Sequence, residues 1–363
     1  MVIGHFKVSR GSFTPMRFKE LDGLRGIAAV LVVLAHFSTA DGFRYLHRFS
    51  LANIAVVMFF GLSAFLLCYL AEKKFDTKAF ITSRFFRIVP LYLVVLVVTL
   101  ALATLNEAND AEVRNTWQKL WLILGFALNW SMVQGDPGLL WSFRHFWSLC
   151  VEIQLYLVIA LAFPWLRTLK AWQVVFGALF AGITLRAFTL APVSYYSTFA
   201  YIEVFAFCGL AGVAYARGNV LRVNVWPYAV LLLVLGFVWQ RIMWKPDWQF
   251  VSGFFYPAIG AILAISLPNI RSRVLSHPAL VSIGLWSYGI YLWHFPVRMF
   301  VEPFSSGPWS FFALYSGLTF LAAITTYRLV EKPINAWKAT LGNRAKQPLV
   351  PLESLQTQSE GQR

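Results

Sequence analysis

Charge is scarce in this sequence. Only 13% of its 363 residues are Asp, Glu, Lys or Arg, against about a quarter in an ordinary soluble domain. The space is filled by hydrophobic residues, 58% of the chain. They fall in runs of roughly 17 to 22, such as Leu51 to Leu70, Ile88 to Leu105 and Val251 to Leu267, which is the length that crosses about 30 Å of hydrocarbon. A water-soluble fold is excluded. Cysteine is also rare: Cys68, Cys150 and Cys208 each sit inside an apolar run, so neither a disulfide framework nor a thiolate metal site has the spacing it needs. There is no G-x-S-x-G elbow, H-E-x-x-H, P-loop or G-x-G-x-x-G. Hydrolase, metalloprotease and nucleotide-hydrolysing readings therefore lack their residues, and Ser148 lacks the setting of an activated serine.

What charge there is follows topology. Basic residues outnumber acidic ones by 31 to 16, but they are spread over short loops and the two tails and not gathered on a nucleic-acid-binding face. With a cytoplasmic N-terminus, spans near 22–40, 51–70, 87–105, 145–165, 171–190, 199–216, 225–242, 250–268, 279–298 and 310–329 leave 20 of the 31 Lys and Arg residues on the inside, as the positive-inside rule requires. No small-residue cleavage site follows the first run, so it is expected to be retained as a span. Trp117 to Val133 is apolar enough for an eleventh span, but using it as one would turn the downstream basic loops outward. A re-entrant or interfacial segment fits the charge better. The predicted fold class is all-α: a polytopic helix bundle of about ten spans plus that segment, with eleven spans as the alternative. The predicted organisation is a short cytoplasmic segment over 1–20, one membrane domain over 21–335 and a disordered cytoplasmic tail over 336–363.

An ionisable residue inside a span costs at least about 2.5 kcal/mol at its centre, so each one calls for a reason. In the first span Arg25 and His36 are eleven residues apart. That brings them to within about 20° of one another on the helix, roughly 16 Å apart along its axis, with Asp22 one turn below Arg25 as an ion partner. Arg84 and Arg87, in SRFFRIVPLYL, lie at i and i+3 at the cytoplasmic mouth of the third span; they read either as topological anchors or as a bidentate grip on phosphate. HFWSLCVEIQLYL sets His145, Ser148 and Glu152 in the outer half of the fourth span. A buried carboxylate needs a partner, and a contact with His36 is open to Glu152. Tyr288, Tyr291 and His294, in SYGIYLWHFPV, are either part of an aromatic belt or the lining of a cavity kinked at Pro296. Arg186 and Glu203 either pair with each other, or Glu203 lines an acceptor cavity. Glu331 and Lys332 read as a structural ion pair at the cytoplasmic boundary.

The opening KELDGLRGIAAVLVVLAHF, an arginine and a histidine with ten residues between them, closely resembles the start of the membrane acyltransferase-3 family, and the likeness runs from about residue 19 to 335. R-x-x-R stands at Arg84 and Arg87, S-L-x-x-E at Ser148, Leu149 and Glu152, the Tyr and His segment at Tyr288, Tyr291 and His294, and the closing motif at Glu331 and Lys332. The chain departs from the family at Ile153, where a second acidic residue is usual, which counts against a two-carboxylate mechanism. The resemblance implies an O-acyltransferase of the bacterial inner membrane. It would use acyl-CoA, most simply acetyl-CoA, as co-substrate, with no bound cofactor or metal, and a hydroxyl of a surface or exported carbohydrate or lipid-linked glycan as acceptor. His36 would be the general base or transient acyl carrier, Glu152 would orient it, and Arg25 would stabilise an oxyanion or the thioester end. Arg84 and Arg87 would hold donor phosphates. Asp22, Ser148, Tyr288, Tyr291, His294 and Glu203 would line or support the acceptor cavity. A proton-coupled transporter using the same His and Glu is the runner-up, although the inverted repeats expected of one are not visible.

Overall fold

The computed structural model describes residues 18–37, 50–105, 110–135, 138–188, 194–242 and 253–344. Among them there is no β-strand. The helices in chain order are α1 (Lys19–Phe37), α2 (Leu51–Lys73), α3 (Thr77–Leu105), α4 (Asp110–Gln118), α5 (Leu120–Leu124), α6 (Leu128–Val133), α7 (Trp147–Leu166), α8 (Ala171–Phe188), α9 (Ile202–Ala216), α10 (Trp226–Ile242), α11 (Phe255–Ser266), α12 (Pro278–Val301), α13 (Pro308–Thr326) and α14 (Lys332–Arg344). Short 3₁₀ turns at Trp141–Phe146 and Thr198–Tyr201 lead into α7 and α9. Five segments are long and apolar enough to cross a membrane: Leu51–Lys73, Thr77–Leu105, Trp141–Leu166, Thr198–Ala216 and Pro308–Lys338. Three further apolar helices are shorter.

Helix α2 is the central one. Its apolar stretch is 83% buried, whereas each of the other four long segments is less than half buried, so it is walled by protein and not by lipid. α1 packs between α2 and α12. The contact with α12 is made through backbone: a Cβ on Gly23 would strike the Leu275 carbonyl, one on Gly26 the Leu280 carbonyl, and one on Gly284 the carbonyl of Asp22. Small residues are what allow membrane helices to approach this closely.

The segment over 117–133 is not one helix. It breaks after Lys119 and again at Gly125, Phe126 and Ala127, where Phe126 takes the left-handed conformation. Backbone exposed by such a break must find partners inside the protein, and it does. The Phe126 carbonyl accepts from Gln154 Nε2 at 2.7 Å, and the Ile123 carbonyl accepts from the Tyr92 hydroxyl at 2.8 Å. Asn129 joins Gln154 and Thr198 in the same network.

Two expected boundaries move. α3 begins at Thr77, ten residues before the expected start, so Arg84 and Arg87 stand within a continuous helix. The tail expected to be disordered from residue 336 is helical to Arg344. A π-helical turn at Tyr327–Glu331 joins α13 to α14, and α14 is held to α3 by Trp337 against Phe86, 5.3 Å between ring centres, and by Lys338. Of the segments predicted above, 1–17, 38–40, 189–190, 250–252 and 345–363 lie outside the described residues.

Because the atom that a new Cβ would meet at Gly284 is backbone and cannot swing aside, Gly284→Ala is expected to destabilise the protein by about 1–3 kcal/mol. A lowered unfolding midpoint of the detergent-solubilised protein would show this; an unchanged midpoint would show that the α1–α12 contact is looser than described.

Candidate active site

The glycine contact brings Arg25 of α1 beside α3 and α12, where it lines a cleft with Arg84, Arg87, Ser63, Glu152, Tyr156, Ser148, Tyr288 and Tyr291. Three guanidiniums therefore meet in one cleft, drawn from α1 and α3. They are not equivalent. Arg87 is paired with the buried carboxylate of Glu331 and lies over the Tyr288 ring, 5.4 Å from its centre. Glu331 is therefore bound to Arg87 across the bundle, and its neighbour Lys332 is exposed, which corrects the expectation of a local Glu331–Lys332 pair. Arg84 makes one hydrogen bond, from Nη2 to the Ser83 hydroxyl at 3.0 Å, while its Nε is buried without a partner. No hydrogen bond or ion pair among the described residues engages Arg25, although Asp22 and Glu152 are near enough to act on it through space.

Glu152 accepts hydrogen bonds from Ser63 Oγ at 2.8 Å and from the Tyr156 hydroxyl one turn along α7. The expected contact between Glu152 and His36 is not formed among the described residues. Glu152 faces α2 and the arginine cleft, while His36 turns toward α12.

His36 enters a cluster of three imidazoles. Its ring centre is 5.0 Å from that of His294, which is 4.9 Å from that of His145, and Phe295 packs against all three. A carbonyl can only accept, so each ring's bonded nitrogen is its donor. His36 Nδ1 donates to Val32 O at 2.8 Å, His294 Nδ1 to Tyr291 O at 2.5 Å and His145 Nε2 to Leu292 O at 3.2 Å. The last carbonyl is available because Pro296, four residues on, has no N–H to give it. When the rings are neutral, the remaining nitrogen of each is a base. Those of His145 and His294 are buried without a partner. Arg298 donates to the carbonyl of His36, with its guanidinium 4.9 Å from the Trp141 ring centre, and so holds the end of α1.

Tyr291 links the two ends of the site. It lines the cleft, and its ring lies 5.4 Å from both His145 and His294. Its hydroxyl donates to the His145 carbonyl at 2.9 Å and meets Ser148 Oγ at 2.5 Å. Ser148 thus bonds to a phenol and a carbonyl and has no base beside it. Tyr291 and His294 are buried and do not form an interfacial belt. Among the described residues no group of three His, Cys, Asp or Glu side chains is placed to hold a metal.

Glu203 lies outside the cleft. It is fully buried and takes both arms of Arg186, at 2.6 and 2.7 Å, so the pairing that the sequence allowed is formed. The sequence reasoning missed Ser63, Tyr156 and Arg298. Tyr156 and Arg298 each had a readable signal, a polar residue four positions after a singled-out one. Ser63 had none, being a small residue in an uninterrupted apolar helix.

Fold and site describe a multi-pass membrane protein with a cationic cleft and a histidine cluster joined inside one bundle. A family profile described as an acyltransferase domain matches residues 18–328, and the chain belongs to this family, acyltransferase-3. It is similar to the "Putative O-acetyltransferase SAS0844" of Staphylococcus aureus strain MSSA476, at 25% identity over 88% of this chain and 58% of that protein. It is also similar to the O-acetyltransferase OatA of S. aureus strain NCTC 8325, at 23% identity over 91% of this chain and 59% of that protein. The chain thus spans about three-fifths of the length of these relatives. No solved structure matches it.

Removing one member of a buried ion pair leaves a bare charge. Glu203→Ala is expected to cost about 3–5 kcal/mol, and Arg186→Met combined with Glu203→Leu to recover most of it. Thermal unfolding in detergent reads both; a single variant as stable as the wild type would contradict the pairing.

Proposed function

We propose that the protein is an O-acyltransferase of the bacterial inner membrane, with about ten spans, a re-entrant 117–133 segment and cytoplasmic termini. It moves an acyl group, most simply acetyl, from acyl-CoA to a hydroxyl of a surface or exported carbohydrate. The observation that carries this reading is the pair of guanidiniums, Arg25 and Arg84, with no carboxylate partner among the described residues, in a cleft whose far wall, Tyr291, lies against two of the three clustered imidazoles, His145 and His294. Cations left bare in an apolar protein are costly. Donor phosphates would neutralise them, and the imidazoles supply the base that acyl transfer needs.

The roles follow from position. Arg25 and Arg84 bind the donor's diphosphate. Arg87, already held by Glu331, shapes the cleft and ties α3 to the end of α13. Arg25 and His36 are about 16 Å apart along α1, so Arg25 serves the donor and not the oxyanion at the reacting carbonyl. Glu152, the one carboxylate lining the cleft, is held by Ser63 and Tyr156 and leaves the cleft net positive. His36 Nε2 removes the proton from the acceptor hydroxyl. The oxygen attacks the thioester carbonyl, the tetrahedral intermediate expels the CoA thiolate, and His36 returns the proton to the sulfur. Arg298 holds the His36 backbone and so the position of the base. Attack of the same nitrogen on the thioester, with the acyl group passed on afterwards, uses the same groups. A transporter would use the imidazoles as a proton relay, but it would give the bare arginines no purpose.

Two measurements test the reading. His36→Ala is expected to abolish CoA release from labelled acyl-CoA while the protein still inserts; wild-type turnover would sink the mechanism. Arg84→Gln is expected to raise KM for acyl-CoA about tenfold or more, the worth of a charge-assisted contact, with a smaller change in kcat. An unchanged KM would remove the arginine cleft from donor binding.

A further inference from the structure

We infer that Lys338 is a donor-binding residue which, with Ser83 and Arg84, forms a subsite at the rim of the cleft for a phosphate monoester, adjoining the place that Arg25 and Arg84 give a diphosphate and sharing Arg84 with it. The inference rests on the reading of acyl-CoA as donor, and Lys338 lies outside the family match, which ends at residue 328.

The geometry is that of two cations converging on one neutral oxygen. Ser83 Oγ accepts from Lys338 Nζ at 3.1 Å and from Arg84 Nη2 at 3.0 Å. Lys338 Nζ also donates to the Ser83 carbonyl at 3.2 Å. Neither cation pairs with a carboxylate among the described residues. Two like charges held this close repel unless an anion joins them. Donors remain for one: an ammonium has three protons and Lys338 uses two, and Arg84 Nε is buried without a partner. The Ser83 hydroxyl can turn its proton toward the same anion. A phosphate monoester near pH 7 carries about −1.5 to −2 charges and so balances both cations, whereas each phosphate of a diphosphate ester bridge carries a single charge.

The chain takes trouble to place Lys338 here. α14 continues from α13 through the π turn at Tyr327–Glu331, the Arg87–Glu331 pair anchors its base, and Trp337 packs on Phe86 beside Lys338. π turns of this kind occur frequently at functional sites. The same device links the two parts of the site: Arg87, in the cleft, holds the turn that delivers Lys338 to the rim.

The test is equilibrium binding of CoA and of 3′-dephospho-CoA to the full-length protein in nanodiscs. The two ligands differ only in the phosphate monoester. Wild type is expected to prefer CoA by about tenfold, the worth of a charge-assisted contact. Lys338→Gln is expected to lose that preference by weakening CoA alone, and Lys338→Arg to keep it. Ser83→Ala is expected to reduce it. Equal binding of the two ligands by wild type, or a Lys338→Gln variant that weakens both alike or neither, would overturn the subsite while leaving the donor reading intact. Wild type that binds neither ligand would overturn both.

Discussion

The backbone contact between α1 and α12 is the constraint on which the rest depends. Gly23 and Gly26 on one helix and Gly284 on the other let carbonyls occupy the space of side chains, and this fixes how α1 is rotated and how far it is inserted. Arg25 and His36 share one face of α1, so a single docking event positions both, one beside the arginines of α3 and the other beside His294. α12 carries the complementary set in the same order: Tyr288 over Arg87, then Tyr291 at the wall of the cleft, then His294 against His36. The site is thus the pairing of two helices, with α3 and α7 added at its sides.

Within that frame, pairing separates structural charges from functional ones. The protein places few ions in its apolar interior, and two pairs are closed: Arg186 with Glu203, and Arg87 with Glu331. Each ties together two segments of the bundle and leaves little charge for a ligand. Arg25 and Arg84 are different: Glu152, the carboxylate that lines their cleft, is turned to Ser63 and Tyr156. The same contrast divides the imidazoles. Each uses one nitrogen on a carbonyl, which orients the ring and fixes the neutral tautomer, and in His145 and His294 the other nitrogen is buried without a partner. Pro296 supports the arrangement by giving up a helix hydrogen bond whose carbonyl His145 takes.

Much of this was legible in the sequence, because it depends on periodicity. The eleven-residue step from Arg25 to His36, the i, i+3 arginines and the Tyr288, Tyr291, His294 series all lie on single helix faces, and their helices bring them into the bundle as the spacing implies. What was not legible depends on rotation between helices. Glu152 was expected level with His36, but it stands in the cleft with Arg25, about 16 Å along α1 from His36, and it faces α2. Ser63, its partner there, is invisible in an apolar run without periodic signal. α14 was missed for the opposite reason: its polar composition resembles a tail, and only contacts with α3, made by Phe86 and Ser83, give it a place. The segment over 117–133 was ambiguous because its apolar length suits a span, while its break is stabilised by Gln154 and Tyr92, from other helices.

If the arginine cleft takes the donor on the cytoplasmic side and the histidines act toward the other, transfer has a direction across the bilayer. The most direct measurement uses sealed membrane vesicles of both orientations from cells making the protein, given labelled acetyl-CoA, which does not cross the membrane. Label should pass to carbohydrate enclosed in inside-out vesicles and not to that displayed on right-side-out ones. Labelling of right-side-out vesicles alone, or equal labelling of both, would contradict a donor cleft facing the cytoplasm.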